Sequence, residues 1–219
     1  MSSSARLLVV RFGALGDMVL LTVAIRLLHQ RFGVPVDVLG SGAWTRPLLT
    51  GQPGVGQIYL LRSRRRPFWL SPDQWQAVRV LRQRGAGPTW LFDDDDGKAC
   101  WLLQRAGWQP EHLLLSTQLP NIPGEPFCER GRRFALSVPP PEAPAAGVPA
   151  SDADPERSAA EAVPRLQVSA QSRAELTARL APLGLADRPV ILVQAGNKRT
   201  MSLGSRRRRS NRKYWPEER

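Results

Sequence analysis

Residues 6–31 constrain the fold most strongly, because a strand-like run leads there through a short glycine turn into a helix-like run. Residues 6–12 are mainly large apolar or β-branched, which suits a buried parallel strand. From Met18 to Leu28 the apolar side chains recur at helical spacing, and basic residues collect after them. The pattern predicts a strand, a glycine turn and a helix.

The turn, residues 13–17 with the sequence GALGD, is where we expect chemistry. Gly13 and Gly16 permit positive φ and the close approach of a ligand or another backbone. Asp17 falls at the cap or first turn of the helix, where free amides and the helix dipole favour an ionised carboxylate at neutral pH. Such an acid at the end of a strand can accept a proton, although an acid that only caps its helix gives the same pattern. The glycine spacing is not that of a dinucleotide-binding fingerprint.

Strand-like and helix-like segments alternate from here to residue 138. Further strands are predicted at 36–39, 57–61, 89–92 and 112–116, and helices at 43–49, 71–85, 99–106 and 125–138. The 71–85 helix opens on a capping box, residues 71–74, with proline at its first helical position. This alternation with short connections is typical of a doubly wound parallel sheet.

Two charged clusters interrupt this pattern. Residues 93–96 are all aspartate and follow the fourth strand. They could hold Mg²⁺ or bind sugar hydroxyls, but adjacent acids cannot all point at one ion, so we favour a capping role. Residues 62–66 carry four arginines just before Phe68 and Trp69, as at nucleic-acid and membrane surfaces. We favour a solvated loop over two packed rings.

The organisation changes after residue 138. Residues 1–138 are predicted to form one domain, and residues 139–164, rich in proline and alanine, a flexible insertion or linker. Residues 165–219 read as a helix from a capping box at Ser172 to Gly184, a strand at 189–193, its turn and a basic loop. We interpret this last part as the opening of a second domain that is not completed before Arg219.

The formal net charge of +12 favours anionic partners, namely phosphate-bearing substrates, anionic membranes or nucleic acid. Between Lys198 and Lys213 there are eight cationic residues and no acid, so most of the excess lies in one stretch. The 2 cysteines and 2 histidines lack metal-ligand spacing, so we expect no metal site and a reduced, cytosolic setting. We expect neither a signal peptide nor a transmembrane helix.

Three segments carry a resemblance to a known family. LLVVRFGALGDMVLLTVAIRLLHQRFG near the start, PVILVQAGNKR further on and KYWPEER at the end resemble glycosyltransferase family 9, the ADP-heptose lipopolysaccharide heptosyltransferases. The resemblance implies a GT-B enzyme, in which two Rossmann-like domains face each other across a cleft. It implies that this chain holds the N-terminal, acceptor-side domain and a truncated donor domain.

The resemblance also implies roles for particular residues. Asp17 matches the general base that deprotonates the acceptor hydroxyl in an inverting transfer, with Gly13 and Gly16 on the substrate side of its turn. Lys213 matches the lysine that contacts the donor diphosphate, and Gly196 and Asn197 match a turn near the donor. The implied partners are an ADP-sugar and a lipopolysaccharide core or lipid-linked acceptor, without a cofactor. We expect a cytoplasmic protein that can contact the anionic inner face of the inner membrane, and little turnover by this truncated chain.

Two other interpretations stay open. The chain could be a non-catalytic remnant or interaction module that keeps half of the fold. It could also bind nucleic acid through the arginines at 206–209, which would make binding sensitive to salt. We disfavour nucleic acid as a partner, because the sequence shows no helix-turn-helix, RNP or KH pattern.

Overall fold

A computed structural model describes residues 6–61, 68–92, 96–141, 143, 163–186 and 188. The chain divides into two compact units, residues 1–167 and 168–219. The predicted strand at 189–193, the turn with Gly196 and Asn197, the basic stretch to Lys213 and most of the proline-rich segment lie outside the described residues. The domain limits at 138 and 164 therefore stay predictions.

The first unit is built on five parallel strands in the order β3-β2-β1-β4-β5. The strands are β1 (Leu7–Arg11), β2 (Val36–Ser41), β3 (Val55–Leu61), β4 (Thr89–Leu91) and β5 (Leu113–Leu115). The helices are α1 (Leu15–Phe32), α2 (Thr45–Leu49), α3 (Pro72–Arg84), α4 (Asp96–Arg105) and α5 (Phe127–Leu136), and the second unit contains α6 (Ala170–Leu180).

β1 lies at the centre of the sheet and is buried along its whole length. Its side chains alternate between two cores, as the period of a strand requires. Leu7 and Val9 pack with α1 and α5, whereas Leu8 and Val10 pack with α3 and α4. A sheet covered by helices on both faces explains why β1 reads as a continuous apolar run rather than an alternating one.

α5 completes the layer that contains α1. Phe134 is fully buried and meets Phe92 edge to face, with ring centres 4.6 Å apart. At the end of α5, Arg31 of α1 donates hydrogen bonds to the carbonyls of Ala135 at 2.9 Å and Ser137 at 2.7 Å. A cation at these carbonyls stabilises the helix end.

A buried carboxylate links neighbouring elements at the amino-terminal ends of the strands. Asp37 of β2 is fully buried and accepts a hydrogen bond from Arg84 Nε at 2.7 Å, at the end of α3. It also accepts hydrogen bonds from Arg6 Nη2 at 3.0 Å and from the Gln57 backbone amide of β3 at 2.8 Å. Burial, and secondly the charge of Asp37, raises the pKa of the nearby Tyr59. No local sequence pattern predicts this cluster.

Each predicted strand and helix that falls among the described residues is present with shifted ends, but two predicted capping boxes are wrong. Ser71 is the N-cap of α3, yet its side chain accepts no hydrogen bond from the helix. α6 begins earlier than predicted because the Ser169 hydroxyl accepts a hydrogen bond from the Ser172 amide at 3.0 Å. Ser172 is therefore inside the helix rather than at its cap.

Candidate active site at the turn between β1 and α1

The turn after β1 lies where the strand order reverses. From β1 the chain first adds β2 and β3 on one side, and it then returns to place β4 on the other side of β1. In open parallel sheets the crevice outside the carboxyl ends of two such strands is where ligands bind. Asp17 in the first turn of α1 and Phe92 directly after β4 stand at this point.

Asp17 caps α1 and is also accessible. Its Oδ2 accepts a hydrogen bond from the Ala14 amide at 2.7 Å, which satisfies one of the amides at the helix start. Ala14 has no side-chain acceptor, so only one half of a capping box forms. The Asp17 side chain is 37% exposed, and Oδ1 lies outside the capping hydrogen bond. Capping and proton transfer, the two readings that the sequence left open, are therefore compatible.

The two glycines of the turn serve different purposes, and neither adopts a positive φ. A Cβ on Gly13 would lie 2.5 Å from the Asp17 Cβ and 2.8 Å from its Oδ2, so glycine is needed there for close approach. A Cβ on Gly16 would meet no atom within 4 Å. Gly16 therefore borders open space at the first turn of α1.

Arg11 is a member of this site that the sequence analysis missed. It is the last residue of β1 and is buried, with Nη2 3.8 Å from Asp17 Oδ1. Its Nη1 donates a hydrogen bond to the Phe92 carbonyl, and its guanidinium lies 4.9 Å from the centre of the Phe127 ring. Arg11 thus links the carboxyl ends of β1 and β4 beneath Asp17. The available signal was a charged residue at the end of an otherwise apolar strand.

The other predicted site residues, Gly196, Asn197 and Lys213, lie outside the described residues, as do the first three acids of the 93–96 run. α4 begins directly after them, at Asp96. His112 is buried, and its Nδ1 accepts a hydrogen bond from the Gln109 amide at 2.9 Å.

The described residues contain neither a metal-binding cluster nor a membrane-spanning helix. No group of three or more histidine, cysteine, aspartate or glutamate side chains in this part of the chain could hold a metal ion. Over the same residues, no helix has the length and apolar character needed to cross a bilayer.

Comparison with known proteins finds the same fold in a solved glycosyltransferase structure. The sequence matches no protein-family model and no curated protein. Among solved structures, the chain is similar to the glycosyl transferase family 9 from Veillonella parvula, with a TM-score of 0.63 and 11% identity over 88% of this chain and 55% of that chain. The fold is that of this glycosyltransferase.

A second similar structure is the E. coli ADP-heptose lps heptosyltransferase II, with a TM-score of 0.48 and 18% identity over 80% of this chain and 50% of that chain. The chain spans about half the length of both structures. At 11% identity the likeness to the Veillonella parvula structure establishes the fold, and together with the strand order it confirms the predicted Rossmann-like, doubly wound α/β sheet.

Proposed function

We propose that this chain is the acceptor-side part of an inverting glycosyltransferase that moves a sugar from a nucleotide-sugar donor to an acceptor hydroxyl. The observation that carries the proposal is the accessible carboxylate of Asp17, held at the switch point of a sheet with a glycosyltransferase fold. The sequence resemblance to family 9 supports an ADP-heptose or related donor and a lipopolysaccharide core or other lipid-linked acceptor. It also supports a cytoplasmic site of action.

In the proposed mechanism, the acceptor hydroxyl approaches Asp17 through the open space beside Gly16. Oδ1 takes the hydroxyl proton as the acceptor oxygen forms its bond to the anomeric carbon. The bond from that carbon to the nucleotide diphosphate breaks on the opposite side, so the configuration at the sugar inverts. General base catalysis needs the hydroxyl oxygen about 2.6–3.2 Å from the carboxylate and contributes about 10²–10⁴-fold in rate.

Arg11 and Gly13 keep this carboxylate in place. Gly13 lets the Asp17 side chain lie directly against the backbone of the turn. The guanidinium of Arg11, fixed by the Phe92 carbonyl, provides the opposite charge 3.8 Å from Oδ1. A base held in this way loses little conformational freedom when the acceptor binds.

On the donor side, the resemblance supports Lys213 as the cation that contacts the diphosphate, with Gly196 and Asn197 at the neighbouring turn. Negative charge develops on the diphosphate as it leaves, and a fixed cation stabilises that charge. We place these three residues in the site on the sequence resemblance alone.

Asp17→Asn tests the mechanism. Asparagine keeps an oxygen that can accept the Ala14 amide, so the start of α1 should be retained, while its neutral amide cannot take the acceptor proton. We expect the sugar-transfer rate to fall by about 10²–10⁴-fold with the donor dissociation constant unchanged. Transfer is measured with a set of nucleotide sugars, on the chain and on any longer natural protein that contains it.

Asp73→Asn is the matched control, because Asp73 is also an acid in the first turn of a helix, here α3. It should leave the rate unchanged. If the Asp17→Asn variant transferred sugar at the wild-type rate, Asp17 would not be the general base. If no nucleotide sugar supports transfer by either form of the wild-type protein, the interpretation as a non-catalytic remnant replaces this one.

A further inference from the structure

The surface formed by α3, α4 and the turn before α3 carries large apolar side chains that meet solvent. Leu70 is 52% exposed, Trp75 50% and Trp101 38%. Three exposed arginines lie on the same two helices, at positions 79, 82 and 105. We call these six residues the α3–α4 patch. The patch lies on the opposite face of the sheet from α1 and is separate from the Asp17 site.

The patch is partly preorganised by stacking. The guanidinium of Arg105 lies 4.3 Å from the ring centre of Trp101 and 4.7 Å from that of Phe68. Phe68 and Trp101 meet edge to face at 4.9 Å, and Arg82 Nη2 donates a hydrogen bond to the Arg105 carbonyl at 2.7 Å. An open groove of about 600 Å³ beside them is lined by Phe68, Arg82 and Arg105 together with Trp75 and Arg79. Aromatic rings and cationic heads are therefore held at one surface.

The charge of the patch indicates which class of partner it can bind. Beyond the first turn of α3 and α4, every exposed charged side chain in the described part of the two helices is an arginine. The acids of these helices, Asp73 and Asp96, lie in their first turns. Arginine binds phosphate, and the indole of tryptophan combines an apolar ring with a polar N–H that suits the boundary between lipid headgroups and acyl chains.

We propose that the α3–α4 patch is a docking surface for an anionic lipid membrane. Trp75, Trp101 and Leu70 insert at the headgroup boundary, and the three arginines contact lipid phosphates. Exposed apolar side chains that are costly in water are then covered, while the guanidinium groups stay at the charged headgroups. This proposal does not depend on the proposed catalytic function.

If the proposed function also holds, docking has a consequence for the site. α3 and α4 each begin beyond the carboxyl end of a strand, so Leu70 and Trp75 lie towards the sheet edge that carries Asp17. A membrane at the patch would bring that edge close to the lipid surface. An acceptor anchored in the lipid could then present its hydroxyl to Asp17 without leaving the membrane.

Vesicle co-sedimentation of the full chain tests the proposal, with vesicles of mixed phosphatidylethanolamine and phosphatidylglycerol compared with vesicles of phosphatidylcholine alone. At about 0.15 M salt we expect binding to the anionic vesicles only. Trp75→Ser with Trp101→Ser should weaken binding about tenfold or more through lost apolar contact. Arg79→Glu with Arg82→Glu should weaken it by a similar factor through lost attraction to phosphates. Circular dichroism checks that each variant is folded.

Matched controls distinguish vesicle binding through the patch from attraction that depends only on the net charge of the chain. Trp44→Ser removes another exposed tryptophan, at the N-cap of α2, and should have no effect. Arg173→Glu with Arg179→Glu makes the same charge change on α6 and should weaken binding less than the change in the patch. Replacing the arginines at 206–209 by serine lowers only the electrostatic background, and the effect of the tryptophan pair should persist in that variant.

Several results would overturn the proposal. One is that the Trp75→Ser, Trp101→Ser double variant binds vesicles as well as the wild type does. A second is that the two charge-reversal pairs weaken binding equally, and a third is that binding disappears entirely when residues 206–209 are replaced. If DNA binds the chain in the absence of anionic lipid, and if that binding is lost when Arg79 and Arg82 are replaced, the patch would be assigned to nucleic acid instead.

Discussion

Asp17 uses its two carboxylate oxygens differently. Oδ2 accepts the Ala14 amide and fixes the start of α1, whereas Oδ1 lies outside that hydrogen bond and near Arg11. A substitution that removes both oxygens would therefore change helix stability and chemistry together. Only a substitution that keeps the amide acceptor separates the two effects.

Substitutions of the two turn glycines should have opposite effects on stability. Gly13→Ala places a Cβ 2.5 Å from that of Asp17, so the carboxylate must move. We expect a loss of about 1–3 kcal/mol in the free energy of unfolding, typical of overpacking, together with reduced transfer. Gly16→Ala adds a methyl group in open space within α1 and should stabilise the protein by about 0.5–1 kcal/mol.

Urea unfolding measures both effects, and Gly16→Ala is the control for Gly13→Ala. If Gly16 borders the acceptor path, its variant should show increased stability with weaker acceptor binding. A Gly13→Ala protein as stable and active as the wild type would show that the turn adjusts easily around Asp17.

The place of Asp17 and Gly13 between β1 and α1 could be predicted because a glycine turn between a buried strand and a helix is a local pattern. Arg11 stands out as a charged residue at the end of an apolar strand, but its role could not be predicted, since that role depends on the Phe92 carbonyl, 81 residues away in the sequence. The predicted purpose of Gly13 was also incomplete. Positive φ is a property of the backbone alone, whereas the close approach of Asp17 depends on how α1 leaves the turn.

α5 is joined to the loop before it by a charged pair. Arg133 donates hydrogen bonds to Glu125 at 2.9 Å through both Nε and Nη2, and the Glu125 side chain is only 7% exposed. The hydrogen bonds from Arg133 hold the pKa of Glu125 below its ordinary value. The pair stabilises the folded state only while Glu125 is ionised.

The contribution of Glu125 to stability should therefore depend on pH. Because its pKa is lower in the folded state, the stabilisation is fully present above the ordinary glutamate pKa of about 4.3 and is lost as the pH falls through the folded value. Glu125→Gln should lower the free energy of unfolding by about 1–2 kcal/mol at pH 7 and by much less near pH 3.

Urea unfolding of wild type and variant at the two pH values measures the difference. Glu129→Gln, which breaks the more exposed pair with Arg132 on the same helix, is the control and should cost at most about 1 kcal/mol at neutral pH. A cost of Glu125→Gln that is the same at both pH values would contradict the proposed linkage.

The buried Asp37 joins β2, β3, α3 and Arg6, the residue before β1, at the other end of the strands and should be costly to replace. Asp37→Asn leaves the buried guanidinium of Arg84, whose side chain is 2% exposed, without its full counter-charge. Loss of one partner of a buried ion pair costs about 3–5 kcal/mol. Arg6→Ala removes a partner that is 45% exposed and should cost about 1 kcal/mol or less, as measured by urea unfolding. Equal costs would mean that Arg84 gains no stability from Asp37.

The existence of the strands and helices followed from periodicity, but their ends and their pairing did not. Ser172 looked like a cap because an acid stands three residues after it, yet Ser169 takes that position. Asp37 in a strand gave no hint of Arg84, which is 47 residues further along the chain. Such contacts depend on how the elements pack, and a local pattern does not contain that information.

Across the whole molecule, the positive charge is concentrated between Lys198 and Lys213. A cluster of this kind attracts any polyanion, so affinity for DNA alone would not identify a nucleic-acid-binding protein. The fold of the first unit could be predicted from the sequence. The arrangement around Lys213 lies outside the described residues, and its place in a donor site stays a prediction.

Binding to DNA should accordingly be weak, independent of sequence and lost between about 50 and 200 mM salt. Replacing the arginines at 206–209 by serine should shift elution from immobilised DNA to lower salt, and scrambling the DNA sequence should change nothing. A complex that prefers one sequence and survives at 200 mM salt would instead favour the nucleic-acid interpretation.

The buried Asp37 cluster lies at the amino edge of the sheet and Asp17 at the carboxyl edge, so stability and proposed chemistry are spatially separated. Exchanging exposed side chains around the turn should leave the Asp37 hydrogen bonds intact, because they lie at the opposite end of the strands. Positions at the rim other than Gly13, Arg11 and Asp17 can therefore change without disturbing either the turn or the Asp37 cluster. Directed evolution for altered specificity should therefore begin at the rim of the crevice and leave the opposite end untouched.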